Sequence, residues 1–164
     1  MPVPDNFAEP LEPGRRNPAE GVLHVPHGQT LVYLTVTTEK RVRWLAAAEP
    51  RRWLVETWRE AKSWLVGYYI LMPDHLHCLC APGGGPHTIE RWISYWKDQF
   101  AKKHGQAGWR WQSRGWHHRL RSDESFEARV VYMRMNPVVL GLVKEPEEWP
   151  WQGAVHDLGA VDLG

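Results

Sequence analysis

Residues 70–80 read Ile-Leu-Met-Pro-Asp-His-Leu-His-Cys-Leu-Cys, two apolar runs separated by Pro73-Asp74. A Pro-Asp pair favours a tight turn and short apolar flanks favour strands, so the spacing predicts an antiparallel hairpin over residues 65–72 and 75–81. Alternation then decides what each sheet face carries. Side chains two apart in a strand share a face, so His75 and His77 point one way and Leu76, Cys78 and Cys80 the other. Two imidazoles on one face can converge on one ion and form the beginning of a metal site. The cysteines go to the opposite face, which argues against a zinc set made of both pairs.

The rest of the chain supplies neighbours for that hairpin. Residues 1–28 hold six prolines and no apolar period, and are expected to form an extended or poorly ordered arm. Residues 31–38 alternate Val32, Leu34 and Val36 with Tyr33, Thr35 and Thr37, a half-buried strand. A helix is expected from about Pro50, with Leu54, Val55, Trp58 and Ala61 on one face. Gly83-Gly84-Gly85-Pro86 breaks the chain, and Thr88 caps a helix striped by Ile89, Trp92, Ile93, Trp96 and Phe100. Residues 109–120 predict a strand with an irregular middle at Gly115. A last helix is expected from about Asp123 to Asn136, where Pro137 discourages continuation.

The order strand, helix, strand, strand, helix, strand predicts an α+β fold. It is a ferredoxin-like four-stranded antiparallel sheet with two helices on one face, the other face open and carrying His75 and His77. The domain is expected over residues 29–151, with the last helix appended to it and a short acidic tail over residues 152–164.

Charge is distributed unevenly. Residues 97–121 hold seven Lys or Arg against the single acid Asp98, whereas residues 145–164 hold five acids and no Lys or Arg. The basic stretch interleaves Trp109, Trp111 and Trp116, which suits neutralising phosphates while stacking unpaired bases. It also suits a solvated basic edge over buried tryptophans. On the first reading the nucleic-acid contacts are Lys102, Lys103, Arg110, Trp111, Arg114, Trp116, Arg119 and Arg121. No apolar stretch approaches the roughly 18 residues that span a bilayer, and no signal-peptide layout is present. With Cys78 and Cys80 too close in one strand to bridge each other, the expected setting is reducing and cytoplasmic.

The appended helix carries a second chemical signal. Phe126, Val130 and Met133 form its core stripe, Tyr132 lies well off that stripe, and Asn136 is one turn beyond Tyr132 on the same face. Together, Met72-Pro73-Asp74-His75-Leu76-His77, Tyr132-x-x-x-Asn136-Pro137-Val138 and Gly141-Leu142-Val143 resemble the HUH-type tyrosine transposases. The resemblance is to the REP-associated tyrosine transposases, related to single-strand insertion-sequence transposases. Trp111-Gln112, His118, Leu120-Arg121, Glu124-Ser125 and Pro146-Glu147-x-Trp149-Pro150-Trp151 extend it. The chain departs from the family pattern at Val139-Leu140, where a basic and a small residue are usual, and at His117, where an acid is usual.

The resemblance implies metal-dependent cleavage and transfer of single-stranded DNA beside a small hairpin, through a 5′-phosphotyrosine intermediate. It implies Tyr132 as the catalytic nucleophile, and His75, His77 and Asn136 as ligands of Mg²⁺ or Mn²⁺. The partner is single-stranded DNA with a hairpin, and the protein a monomer or homodimer. The competing expectation is a DNA-binding protein of the same fold that no longer cuts.

Overall fold

The computed structural model describes residues 30–113, 115–120 and 126–158. The arm expected over residues 1–28 lies outside them. Five strands form one antiparallel sheet: β1 (Val32–Thr37), β2 (Trp64–Leu71), β3 (His75–Pro82), β4 (Trp116–Arg119) and β5 (Gln152–Ala154), in the order β4-β1-β3-β2-β5. The helices are α1 (Ala48–Glu60), α2 (Ile89–His104) and α3 (Phe126–Arg134), followed by the short helical turn α4 (Asn136–Val139). The fold is α+β as expected, but the sheet has five strands rather than four. The fifth comes from residues beyond 151, paired with β2 through Tyr69↔Gly153 and Ile70↔Gln152.

The hairpin forms where the Pro-Asp turn predicts it. The Met72 N–H donates to His75 O at 2.7 Å, closing the turn. α2 starts at the expected cap, with the Thr88 hydroxyl accepting from Arg91 N–H at 3.2 Å. It ends at Gly105, whose φ of 66° is the left-handed conformation that glycine adopts without a Cβ clash. Residues 109–120 contribute less strand than expected, an isolated bridge Thr38↔Trp111 followed by β4. The last helix breaks at Met135, and α4 accommodates Pro137 in its first turn, where a missing N–H costs nothing. The expected start near Asp123 lies outside the described residues.

Two cores sandwich the sheet. On one side Leu54 and Trp58 of α1 and Trp92, Trp96 and Phe100 of α2 pack against Val32, Leu34, Val36, Leu76, Cys78 and Cys80. On the other, Met133, Trp149 and Leu158 cover Tyr33, Ile70, Leu79 and Ala81. The face expected to be open is therefore covered, and β1, expected to be half-buried, is buried along its whole length. The cover is built by α3 and the C-terminal segment, whose Trp149 indole donates to Leu71 O at 2.9 Å. Among the described residues no helix is long and apolar enough to cross a membrane.

Candidate active site

His75 and His77 lie on the face away from α1 and α2, as alternation requires, but neither is open to solvent. His75 is 6% exposed and His77 fully buried. Their ring centroids are 4.9 Å apart at an interplanar angle of 76°. Register with β1 sets Thr35 opposite His77 and Thr37 opposite His75.

Each ring is held at Nδ1. His75 Nδ1 lies 2.8 Å from Asp74 Oδ1, and Arg41 Nε donates to the other carboxylate oxygen at 3.0 Å. Burial alone would raise the Asp74 pKa, yet His75 and Arg41 outweigh it and leave the carboxyl below its ordinary value. An ionised Asp74 accepts from His75 Nδ1–H. His77 Nδ1 lies 2.9 Å from the Thr35 hydroxyl and 3.0 Å from the Tyr33 hydroxyl, and the Tyr33 ring stacks on it at 5.3 Å. Burial, with the charges of His75 and Arg129, holds the His77 pKa well below that of free imidazole. Neutral His77 is the form that ligates metals.

The nucleophile candidate sits on the same side of the sheet. Met133 is buried in the second core and anchors α3, which leaves Tyr132 39% exposed. Arg129, one turn earlier, lays its guanidinium over two rings, at 4.7 Å from the Tyr33 centroid and 5.4 Å from that of Tyr132. Both distances are within cation–π range. The Tyr33 hydroxyl is pushed above its ordinary pKa chiefly by burial, against the pull of Arg129, with Tyr132 near enough to add to the rise. Asn136, at the start of α4, is completely buried, and neither of its amide atoms has a hydrogen-bond partner among the described residues.

The basic residues disperse. Lys102 pairs with Asp98 at 3.2 Å, and Lys103 with Glu56 and Glu60 at 3.1 and 3.0 Å, all on the helical side of the sheet. Arg110 pairs with Glu39 at 3.2 Å. Trp111 packs into an aromatic group with Trp44, Trp96 and Phe100, and Trp44 stacks on Trp109 at 5.4 Å. Trp116 is different: it lies on the histidine side, edge-on to Tyr33 at 6.1 Å and to His118 at 5.4 Å. Arg119 is exposed at the end of β4. Arg114 and Arg121 lie outside the described residues. His117, at the position where the family pattern has an acid, faces α2 and contacts Glu90 at 3.1 Å.

Sequence reasoning missed Tyr33, Thr35 and Arg129. Alternation in the first strand puts Tyr33 and Thr35 on one face, but only register brings them to His77. Arg129 carries a local signal, being three residues before Tyr132 on one helix face. Among the described residues no three His, Cys, Asp or Glu side chains group as a metal site, so a site here needs another ligand type.

No family model matches the chain. It is 32% identical over 94 residues to the Escherichia coli (strain K12) REP-associated tyrosine transposase, covering 57% of this chain and 56% of that one. A Haemophilus influenzae protein provisionally given the same description is 28% identical over 104 residues, covering 55% and 58%. The chain thus spans little more than half the length of the curated relatives it matches. A solved structure of a REP-associated tyrosine transposase bound to a REP hairpin superposes with a TM-score of 0.64 at 23% identity, over 87% of this chain and 82% of that one. The motif resemblance is borne out: the chain is similar to REP-associated tyrosine transposases in sequence, and its fold is like that of one.

Proposed function

We propose that this chain, similar to the REP-associated tyrosine transposases, cleaves and rejoins single-stranded DNA beside a small hairpin through a covalent link to Tyr132. The observation that carries the reading is the guanidinium of Arg129. It lies over both Tyr132 and Tyr33, and the Tyr33 hydroxyl in turn reaches His77 Nδ1. We read β4-β1-β3-β2 as the ferredoxin-like core, with α3 as the appended helix that carries the nucleophile.

The side chains fit a divalent ion, Mg²⁺ or Mn²⁺. With Nδ1 engaged on both histidines, Nε2 is the nitrogen an ion would take, the arrangement common to metal-binding imidazoles. His75 Nε2 is buried and has no hydrogen-bond partner among the described residues. Asn136 would be the third ligand, since ligation through Oδ1 offsets the cost of a buried amide oxygen. A bound ion would polarise a nonbridging oxygen of the scissile phosphate.

The chain's own residues do the rest. The Tyr132 oxygen attacks phosphorus in line with the departing 3′ oxygen. The new O–P bond forms as the P–O3′ bond breaks, the phenol gives up its proton, and the 3′ oxygen gains one. The products are a 5′-phosphotyrosine and a free 3′-hydroxyl. Because the phosphotyrosyl bond conserves the phosphodiester energy, a 3′-hydroxyl can attack it and reseal DNA without ATP. Arg129 supplies positive charge beside the phenol ring as negative charge develops there.

The test incubates wild type and Tyr132→Phe with labelled single-stranded hairpin DNA from beside the encoding gene and Mn²⁺ or Mg²⁺. The reaction is read on a denaturing protein gel. A metal-dependent covalent band in wild type that Tyr132→Phe lacks is the expected result. DNA binding by folded wild-type protein with no band overturns the reading in favour of a binding protein.

A further inference from the structure

A pocket of about 390 Å³ opens between α1 and the β5 edge, on the helical side of the sheet and away from His75 and His77. Its volume lies in the range of small-ligand sites, roughly 300–1,000 Å³. Arg51, Arg52 and Arg59 line its α1 wall, with Tyr69 and Trp151 among its other lining residues.

The three arginines have different tasks. Arg51 is committed to the fold: Nε donates to the Tyr69 hydroxyl at 2.7 Å, and its terminal nitrogens donate to Pro150 O at 3.1 Å and Gln152 O at 3.3 Å. These bonds fix the wall against the C-terminal segment. Arg52 lies over the Trp53 ring at 4.4 Å, with only an exposed 3.9 Å approach to Glu49. Arg59 has no ion pair among the described residues. The one acid of the lining among the described residues, Glu56, shares Lys103 with Glu60, at 3.1 and 3.0 Å, and stands against three arginines. The lining therefore has a net positive charge beside an aromatic ring, the combination that holds a phosphate and stacks an unpaired base.

The pocket lies on the opposite face of the sheet from the candidate active site, and a strand reaches it around the β5 edge. His77, Ile70 and Gln152 occupy one row across β3, β2 and β5. Two strand spacings, roughly 10 Å, separate the ends of that row, which a few nucleotides can cover. Trp151 packs against both cores and marks where a strand passing over the β5 edge changes face.

We propose that this pocket binds a nucleotide of the unpaired strand flanking the hairpin, with its phosphate against Arg52 and Arg59 and its base against Trp151. The inference rests on the single-stranded DNA reading above.

The test measures anisotropy of a labelled hairpin with and without a thymidine tail, in the Tyr132→Phe background so that the DNA stays intact. The tail is expected to strengthen binding about tenfold. Arg52→Ala with Arg59→Ala is expected to remove that gain and flatten the salt dependence of tailed binding by about 0.7, the slope for one single-strand phosphate contact. Affinity for the untailed hairpin stays unchanged, which also reports that the variant is folded. An equal tail effect in both proteins overturns the proposal. So does protection of Arg52 and Arg59 from an arginine-specific dicarbonyl in DNA-free protein, which would mean another part of the chain fills the pocket. Failure to bind even the untailed hairpin would sink the functional reading, and the pocket with it.

Discussion

The Tyr33 hydroxyl lies 3.0 Å from His77 Nδ1 while the two rings stack at 5.3 Å, so one side chain both orients the imidazole and covers its face. Tyr33→Phe keeps the stack and removes the hydroxyl. The expected result is metal affinity weakened about 10- to 100-fold, read as the Mn²⁺ concentration needed for half-maximal cleavage. The stability loss should be about 0.5–1.5 kcal/mol in a denaturant titration without metal. An unchanged Mn²⁺ requirement would show that Thr35 alone holds His77.

Asn136 sets stability against function. Its buried amide has no hydrogen-bond partner among the described residues, so Asn136→Leu, similar in size, should stabilise the metal-free protein by about 1–3 kcal/mol. The same substitution should abolish the covalent DNA adduct. Thermal denaturation and the adduct gel on one preparation read both outcomes, and a destabilised but active variant would contradict the ligand assignment.

Arg129 bridges Tyr132 to the wall of the sheet. Arg129→Met removes the charge and both cation–π contacts, worth about 0.5–2 kcal/mol. Single-turnover adduct formation should slow about 2- to 30-fold, while hairpin affinity changes little. Arg129→Lys should recover part of the rate, because an ammonium keeps the charge but loses the flat stacking surface. Equal rates for Met and Lys would assign Arg129 a packing role only.

His117 gives the protein a pH dependence. Burial lowers its pKa despite the neighbouring Glu90 carboxylate. An imidazole whose folded pKa is depressed takes up its proton more readily in the unfolded chain, so stability falls as pH drops through the ordinary value of 6.5. His117→Asn should flatten that fall by at most about 1.4 kcal/mol per pH unit between pH 6.5 and the folded pKa. Urea denaturation at pH 7.5 and at descending pH measures the slope.

The local devices were legible in the sequence because each works within a few residues. Pro73-Asp74 makes its turn wherever strands flank it, Thr88 caps the helix that begins beside it, and the Ile89-Trp92-Ile93-Trp96-Phe100 stripe buries one helix face. Alternation likewise sent His75 and His77 away from Cys78 and Cys80. Which residues of the basic stretch meet an acid was not legible, because sequence proximity does not tell which lysine an acid will reach. Lys103 finds Glu56 and Glu60 only when α2 packs on α1.

The sequence by itself determined the first three strands, α1 and α2, and the order of His75, His77, Tyr132 and Asn136 along the chain. The tertiary structure alone decided that the face carrying the histidines is covered, that β5 extends the sheet, and that Tyr33, Thr35 and Arg129 surround the pair. The reason is range: turns, caps and periodicity act between near neighbours, whereas register, burial and the meeting of α3 with β1 depend on contacts between residues far apart in the chain. Thr35 is 42 residues from the imidazole it holds. Only a folded sheet brings them to 2.9 Å.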